Sequence, residues 1–543
     1  MKMVSADIIL SGQHVFTGLQ DEPIKAAIAI KGNKIIKIGS KEDIMSFLGN
    51  ETKVYDMEDG LIIPGFHDFH MHIMMGSILQ KDSAKLFDAA SEEDAAKIVG
   101  EFAETRPNDE WIFGVGWDHT NWKNKVLPHR TTLDKYISDR PVLLFNAEVH
   151  YAWINSKAME MIQLTKDTPD PEYGEIGKDE NGELTGLLFE QAIGYASEHA
   201  YKLPKDKRVS LFQGFLNETK RLGITSVNDL YGAKIAPNPL DDLEIFKEFE
   251  REGLLTTRIH FSPELKMDLA AAKELQTNYQ SDKLTFSGLK QFIDGVVTSH
   301  TAFLLDPYKD RPDTKGGTTY PAETIKQLVK KADKENFQIR FHAIGNGAVR
   351  LALDAFEEAR NVNGERDARH VIEHVEVLHP DDVHRFKELD VIASFQPKHI
   401  ELMESEAYTA RISETQQPLY YPIKTLVDTG AKIAFGTDFP VVPLNPMMGI
   451  YQAITRKDLT GKAWQESEGV TLAQALKYYT AIPAYGSFRE NELGTLEAGK
   501  IADIAVLNKN LFSISKEEIL ETEVKMTIMD GKVVYENLVV QTV

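Results

Sequence analysis

His70 and His72 flank one residue in the run Phe66-His67-Asp68-Phe69-His70-Met71-His72, which follows the punctuating pair Pro64-Gly65. On a strand, alternate side chains share a face, so Asp68, His70 and His72 are expected to project together and His67, Phe69 and Met71 the other way. Two imidazoles on one face can chelate one metal ion. A pair of satisfied core histidines would look the same in isolation, so the other histidines carry the argument. His342 ends Gln338-Ile339-Arg340-Phe341-His342, His374 ends His370-Val371-Ile372-Glu373-His374, and Asp438 closes Ile433-Ala434-Phe435-Gly436-Thr437-Asp438. Four histidines and a carboxylate thus sit at the ends of four apolar runs. Asp438 alone could be a helix cap ahead of Phe439-Pro440. Lys290 lies in Gly288-Leu289-Lys290-Gln291-Phe292-Ile293-Asp294, and Asp294 shares its face. Burial favours the neutral amine of such a lysine, and a neutral amine can react with carbon dioxide to give a carbamate, an anion able to bridge two cations. The alternative is an ordinary surface lysine.

Eight apolar runs must position these groups: 66–72, 224–230, 258–261, 288–294, 338–343, 370–375, 391–396 and 433–438. They alternate with helical stretches, which is the pattern of βα units around a parallel sheet. Eight is the count of a TIM barrel, whose chemistry lies at the C-terminal ends of its strands. Short strands are expected at both chain ends, at 8–10, 27–30 and 34–38 and again at 502–507, 524–528 and 532–535. Neither block is large enough for its own core, so they are read as one β-sandwich built from both termini. Residues from about 85 to 205 break the repeat, with strands expected at 111–117 and 141–145. The expected fold is α/β: a (β/α)8 TIM barrel over 65–486 with a large insertion after its first strand, and a sandwich from 1–64 and 487–543.

Composition narrows the function. The 543 residues carry 61 Lys plus Arg against 83 Asp plus Glu, a net charge of −22, which repels nucleic-acid phosphates and anionic membrane surfaces. No cysteine is present, so disulfides, thiolate metal sites and thiol nucleophiles are all excluded. No apolar run reaches the roughly 18 residues of a membrane span. Asp7 interrupts the first apolar stretch, so no secretory signal is expected and the cytoplasm is the expected compartment. Gly114-Val115-Gly116 lacks the third glycine of a dinucleotide fingerprint, and Asp381-Asp382 after Pro380 reads as a helix start.

The run 64–72, followed in order by Lys290, His342, His374 and Asp438, resembles the amidohydrolase superfamily. The likeness extends over nearly the whole chain, because Gly494-Thr495-Leu496-Glu497-Ala498-Gly499-Lys500 leading to Ala502-Asp503-Ile504-Ala505-Val506-Leu507 is similar to that superfamily's return to the sandwich. The branch containing N-substituted formamide deformylase is suggested by residues 150–158, 186–190, 342–346, 372–374 and 394–397. The resemblance implies a metal-dependent hydrolase of a non-peptide carbon–nitrogen bond in a small N-acyl or N-formyl compound. It implies one or two divalent ions, zinc being the expected metal. His70 and His72 would hold one ion and His342 and His374 the other, with Lys290 bridging as a carbamate and Asp438 as ligand and proton shuttle. A metal lowers the pKa of water towards 7 and polarises a carbonyl; Asp438 would act as base, then acid, and His150 as an oxyanion donor unless it is purely structural. Trp117, Glu190, Asp294 and His300 are the expected substrate contacts. Trp111, Trp117, Trp122 and Trp153 would either wall an apolar pocket or form core. The chain departs from the pattern at His67, where an aliphatic residue is expected, at His300, often Arg, and at Asn346-Gly347, in place of Asp-Arg. Two other readings stay open: a deaminase of a cyclic amidine, which Lys290 argues against, and a non-catalytic assembly protein, which would be expected to have lost ligands. The expected partner is a small molecule, and a homodimer is compatible with the fold.

Overall fold

The computed structural model describes residues 5–415 and 419–537. Two parallel sheets occupy the centre. One orders Leu284–Phe286, Arg258–Ser262, Ile224–Leu230 and Phe66–Met71; the other orders Leu289–Phe292, Ile339–Ala343, Val371–His374, Ile392–Phe395 and Lys432–Phe435. All eight expected runs are strands, though several stop short of their chemical residues. The last strand ends at Phe435, so Asp438 lies in the loop beyond it, and His72 follows Met71 as the residue before helix Ile73–Lys81. Backbone hydrogen bonds also join the two sheets at two seams. At one seam, Asp438 N donates to His70 O at 2.7 Å and His72 N to Phe439 O at 2.9 Å; at the other, Lys290 N donates to Pro263 O and Leu265 N to Lys290 O, both at 2.8 Å. Gly436 permits the first seam, because a Cβ there would lie 2.5 Å from His70 N.

Both faces of these strands are buried, as near-continuous apolar runs require. Helix Asn346–Asn363 follows Ile339–Ala343 and buries Val349, Ala352, Leu353, Phe356 and Ala359, a stripe at helical spacing. Burying each of its larger apolar side chains contributes about 1.5–3 kcal/mol. The first strand departs from simple alternation: Val227 pairs with Asp68 but Asp229 pairs with Met71, so one extra residue is accommodated between them. Asp68 therefore does not join His70 and His72. Its carboxylate accepts from Thr437 N at 3.0 Å, Thr437 Oγ1 at 2.6 Å and His70 N at 3.2 Å, tying the seam together. His67 is also internal, with Nε2 2.7 Å from Asn228 Oδ1 and its ring stacked on His260.

The termini meet in one sheet of seven strands, ordered Lys532–Glu536, Val524–Met529, Ile504–Leu507, Lys53–Pro64, Ile8–Val15, Ile24–Lys31 and Lys34–Gly39. Antiparallel pairing of Ile504–Leu507 with Lys53–Pro64 joins the two ends. Asp530-Gly531 packs on the opposite turn, where a Cβ on Gly531 would lie 2.0 Å from Gly32 O. Buried Arg258 links this sheet to the centre through Asp503, with Nε–Oδ2 2.9 Å and Nη2–Oδ1 3.2 Å, a bidentate pair.

A separate six-stranded sheet lies between Ser83 and Glu190 in sequence and includes Ile112–Trp117 and Val142–Asn146. Trp117, Trp122 and Trp153 are fully buried in its core, and Trp111 is 5% exposed. Trp117 Nε1 donates to Leu144 O at 3.0 Å. The expectation that Trp117 contacts substrate is therefore corrected: packing against Trp122 and Trp153 leaves it no accessible face. Among the described residues no helix is long and apolar enough to cross a membrane.

Candidate metal centre

Asp438 Oδ1 lies 3.3 Å from His70 Nε2 and 3.2 Å from His72 Nε2. Donor atoms of His70, His374 and Asp438 all fall within 4.8 Å of one another. A charge-assisted hydrogen bond would be shorter, about 2.7–2.9 Å. Two bonds of about 2.0–2.1 Å meeting at a tetrahedral angle place their donors roughly 3.3–3.4 Å apart, so the observed spacing fits ligands gathered around one ion. Imidazole and carboxylate are the donor set that zinc and similar divalent ions accept.

The remaining ring nitrogens are occupied in the way metal-binding histidines need. His70 Nδ1 is 2.9 Å from Glu373 Oε2, and His72 Nδ1 is 2.8 Å from Leu230 O. Each contact fixes the tautomer that leaves Nε2 bare. Glu373 in turn accepts from Arg340 Nε at 2.7 Å, with both side chains wholly buried. Burial works against the Glu373 charge, but Arg340 and His70 hold its carboxyl well below the usual range. Glu373→Gln is expected to weaken metal affinity by about 10–100-fold. It should also lower the melting temperature, because a buried Arg340 without its counter-charge costs about 3–5 kcal/mol. Metal titration and a thermal melt check both, and unchanged values in the two would remove this role.

His374 takes a left-handed φ of 76° and stands with its ring 5.1 Å from His70 and 4.4 Å from His342. His342 is alongside but outside the converging set. Its Nε2 points to Gly295 O at 3.3 Å, and its ring stacks on Phe292. Lys290 is fully buried, its Nζ has no hydrogen-bond partner, and it lies 4.6 Å from the Phe292 ring centre. Asp294 is not a substrate contact. Its carboxylate is used by the backbone N–H groups of Ile344 at 3.0 Å and of Gly345 and Phe303 at 2.9 Å, which fastens the loops after two strands. The helix-cap alternative for Asp438 also fails, because the next helix is Pro446–Thr455 and Asn445 caps it.

A cavity of about 650 Å³ adjoins this centre, with Tyr151, Tyr173, Phe189 and Glu190 in its wall. Glu148 and His150 line both this cavity and a smaller pocket of about 60 Å³ that contains His70, His72, His374 and Asp438. His150 Nδ1 is 2.9 Å from Glu190 Oε2, whose other oxygen accepts from Thr301 Oγ1 at 3.0 Å. Burial disfavours a charge on His150, but Glu190 and Glu148 outweigh it and carry the ring up to about 9. A protonated ring there would be a hydrogen-bond donor lining the same small pocket as His70, His72, His374 and Asp438. His300 lies outside the cavity wall, since its Nε2 pairs with Asp310 Oδ2 at 2.9 Å and its ring meets Tyr308 edge-on.

The sequence profile of the amidohydrolase family matches residues 53–535. The chain belongs to that family. It is 29% identical to Protein LONG AFTER FAR-RED 3 of Arabidopsis thaliana over 98% of this chain and 92% of the relative. It is 24% identical to N-substituted formamide deformylase of Arthrobacter pascens, with 98% of each chain covered. Among solved structures, an uncharacterized metal-dependent hydrolase from Pyrococcus horikoshii superposes with a TM-score of 0.76 at 25% identity, over 94% of this chain and 99% of that one.

Within this amidohydrolase, sequence reasoning missed Arg340, Glu373, Glu148, Glu376 and His399. Glu373 stands next to His374, and His399 lies two residues beyond the run 394–397 that suggested the family branch. Adjacency alone does not separate a ligand's support from a neighbour facing the helices. Strand pairing does: Glu373 is opposite His342, on the inward face that carries Arg340.

Proposed function

We propose that this amidohydrolase cleaves the carbon–nitrogen bond of a small N-acyl or N-formyl amide, using a divalent ion held by His70, His72, His374 and Asp438. The observation that carries the reading is the shared position of Asp438 Oδ1 between two Nε2 atoms, in a small pocket that shares Glu148 and His150 with a large cavity. An ion in that place supplies Lewis-acid polarisation and makes water acidic enough to ionise near neutral pH. Asp438, held ionised, takes the proton from the attacking water and returns it to the leaving nitrogen. His150, protonated and braced by Glu190, donates to the carbonyl oxygen as negative charge develops there. Retention of every expected ligand type favours an enzyme over an assembly protein.

The two parallel sheets, with Leu284–Phe286 and Leu289–Phe292 counted as one interrupted strand, are read as one closed (β/α)8 barrel, supported by the backbone hydrogen bonds at both seams. The seven-stranded terminal sheet is read as the sandwich, supported by the apolar cluster that Ile8, Leu10, Ile28, Ile504, Val506 and Met526 form together.

The small pocket beside the ligands and the large outer cavity suggest a substrate with a small acyl part and a bulky amine part. Formamide chemistry in a relative points the same way. A panel of amides of aliphatic and aromatic amines, with esters, cyclic ureas and cyclic amidines, tests this on protein of measured metal content. Enlarging the acyl group from formyl to benzoyl is expected to cost at least about 100-fold in kcat/KM, since even one misplaced methylene costs about 10–200-fold, while enlarging the amine costs little. Ammonia released from a cyclic amidine would replace this reading with deamination, and no turnover of any amide by fully metallated protein would end it.

A further inference from the structure

The carbonyl oxygen of an amide accepts a hydrogen bond and its N–H donates one, whereas an ester or an N,N-disubstituted amide keeps only the acceptor. His150 supplies a donor for the carbonyl, and Glu148 stands beside it with no part in the reaction so far. Both residues line the large cavity, the small pocket of the metal ligands and a further pocket of about 50 Å³ that also reaches His374 and Asp438. Among the described residues they are the two common to all three walls. A substrate with its acyl carbon at the metal ligands and its amine part in the large cavity carries its scissile bond past them both.

One tight connection presents the pair. Strand Val142–Asn146 turns back antiparallel into Tyr151–Ile154, so Glu148 and His150 belong to the turn 147–150 of the inserted sheet. Between them Val149 takes a φ of 65° and is buried, a conformation that a β-branched residue almost never adopts. The turn is held by Val149 N donating to Asn146 O and Tyr151 N to Asn146 Oδ1, both at 3.1 Å. Strain of this kind persists where the surroundings over-determine it, commonly at ligand sites. Thr298 Oγ1 donates to Glu148 Oε1 at 2.7 Å. Among the described residues that is the one hydrogen bond to this carboxylate, which leaves Oε2 as an acceptor. Donor and acceptor therefore stand two residues apart, as the two polar atoms of an amide require.

We propose that Glu148 is a specificity-determining residue that accepts from the N–H of the scissile amide while His150 donates to its carbonyl oxygen, with Thr298 positioning the carboxylate. The site therefore takes amides with a hydrogen on nitrogen and rejects esters and N,N-disubstituted amides. The inference rests on the hydrolytic reading of the site. N-cyclohexylformamide, N-cyclohexyl-N-methylformamide and cyclohexyl formate test it, with kcat/KM for each divided by its hydroxide-catalysed rate to remove intrinsic reactivity. The ester lacks the N–H and adds no bulk. A buried site built to bond a substrate N–H rejects the analogue without it by about 10⁴–10⁵. Glu148 is half-buried, so the wild type is expected to prefer N-cyclohexylformamide to both others by at least about 100-fold. Glu148→Leu should cut that preference by at least about tenfold, the lower end for a lost charge-assisted hydrogen bond. Thr298→Val should cut it less, and Thr298→Ser, which keeps the hydroxyl, should restore it. Preference is the readout because Glu148 also helps hold His150 protonated, and a loss from that source affects all three carbonyl groups alike. A thermal melt identifies any variant that fails to fold, and Glu148→Gln with the Thr298 pair then decides. A wild type that treats ester and amide alike overturns the proposal while the hydrolytic reading stands. So does a preference that survives Glu148→Leu. No turnover of any of the three by fully metallated protein overturns it as well, and the amide panel then decides whether the hydrolytic reading stands.

Discussion

Asp438→Asn is expected to lower turnover by at least about 100-fold, within the usual range for losing a general acid–base, while metal stays bound and the melting temperature hardly moves. Burial pushes the Asp438 carboxyl up, but His70 and His72 beside it hold it well below its ordinary range, so it is ionised and able to accept a proton at neutral pH. Asparagine keeps the shape and one oxygen ligand. It also tolerates the left-handed φ of 58° at this position, so no backbone strain confuses the result. What it loses is the ability to take a proton. Turnover, bound metal and melting temperature measured on this one variant separate chemistry from architecture, and near-normal turnover with a full metal complement would sink the shuttle.

Lys290→Met should abolish measurable turnover, a loss of at least about 100-fold, and reduce bound metal, with partial rescue by added short carboxylates. The expectation follows from a buried amine with no hydrogen-bond partner, which burial pulls down to about 8. At such a value an appreciable fraction is neutral near pH 7–8. The neutral nitrogen can attack carbon dioxide, forming a C–N bond and releasing a proton to leave the carbamate anion. The competing account is a cationic lysine resting on Phe292 for packing alone. Methionine matches its length without charge, so on that account turnover would be normal and stability equal or higher. Full activity of the variant would rule out a ligand role.

Chemical type and local period were legible in the chain. The His-x-His pair, the histidines closing two further apolar runs, and the absence of cysteine limited any metal site to imidazole and oxygen donors, because donor type is a property of single residues. The eight strands were legible for a similar reason: a strand buried on both faces writes its apolarity into a short contiguous segment. Pairing across long separations was not. The extra residue between Asp68 and Met71 changes which side chains share a face, and it appears only when that strand is laid against Ile224–Leu230. Glu373 becomes the support of His70 through a strand pairing that also aligns Arg340, and the two partners are 303 positions apart in sequence. Trp117 and Asp294 have the chemistry of substrate contacts, yet packing sends one into a core and backbone N–H groups claim the other. Glu376 and His399 meet His374 only because two consecutive left-handed residues bend the chain after the strand. Periodicity describes regular backbone within one element. Bulges, left-handed turns and sheet register are decided by contacts between elements, so these features of the site belong to the tertiary structure.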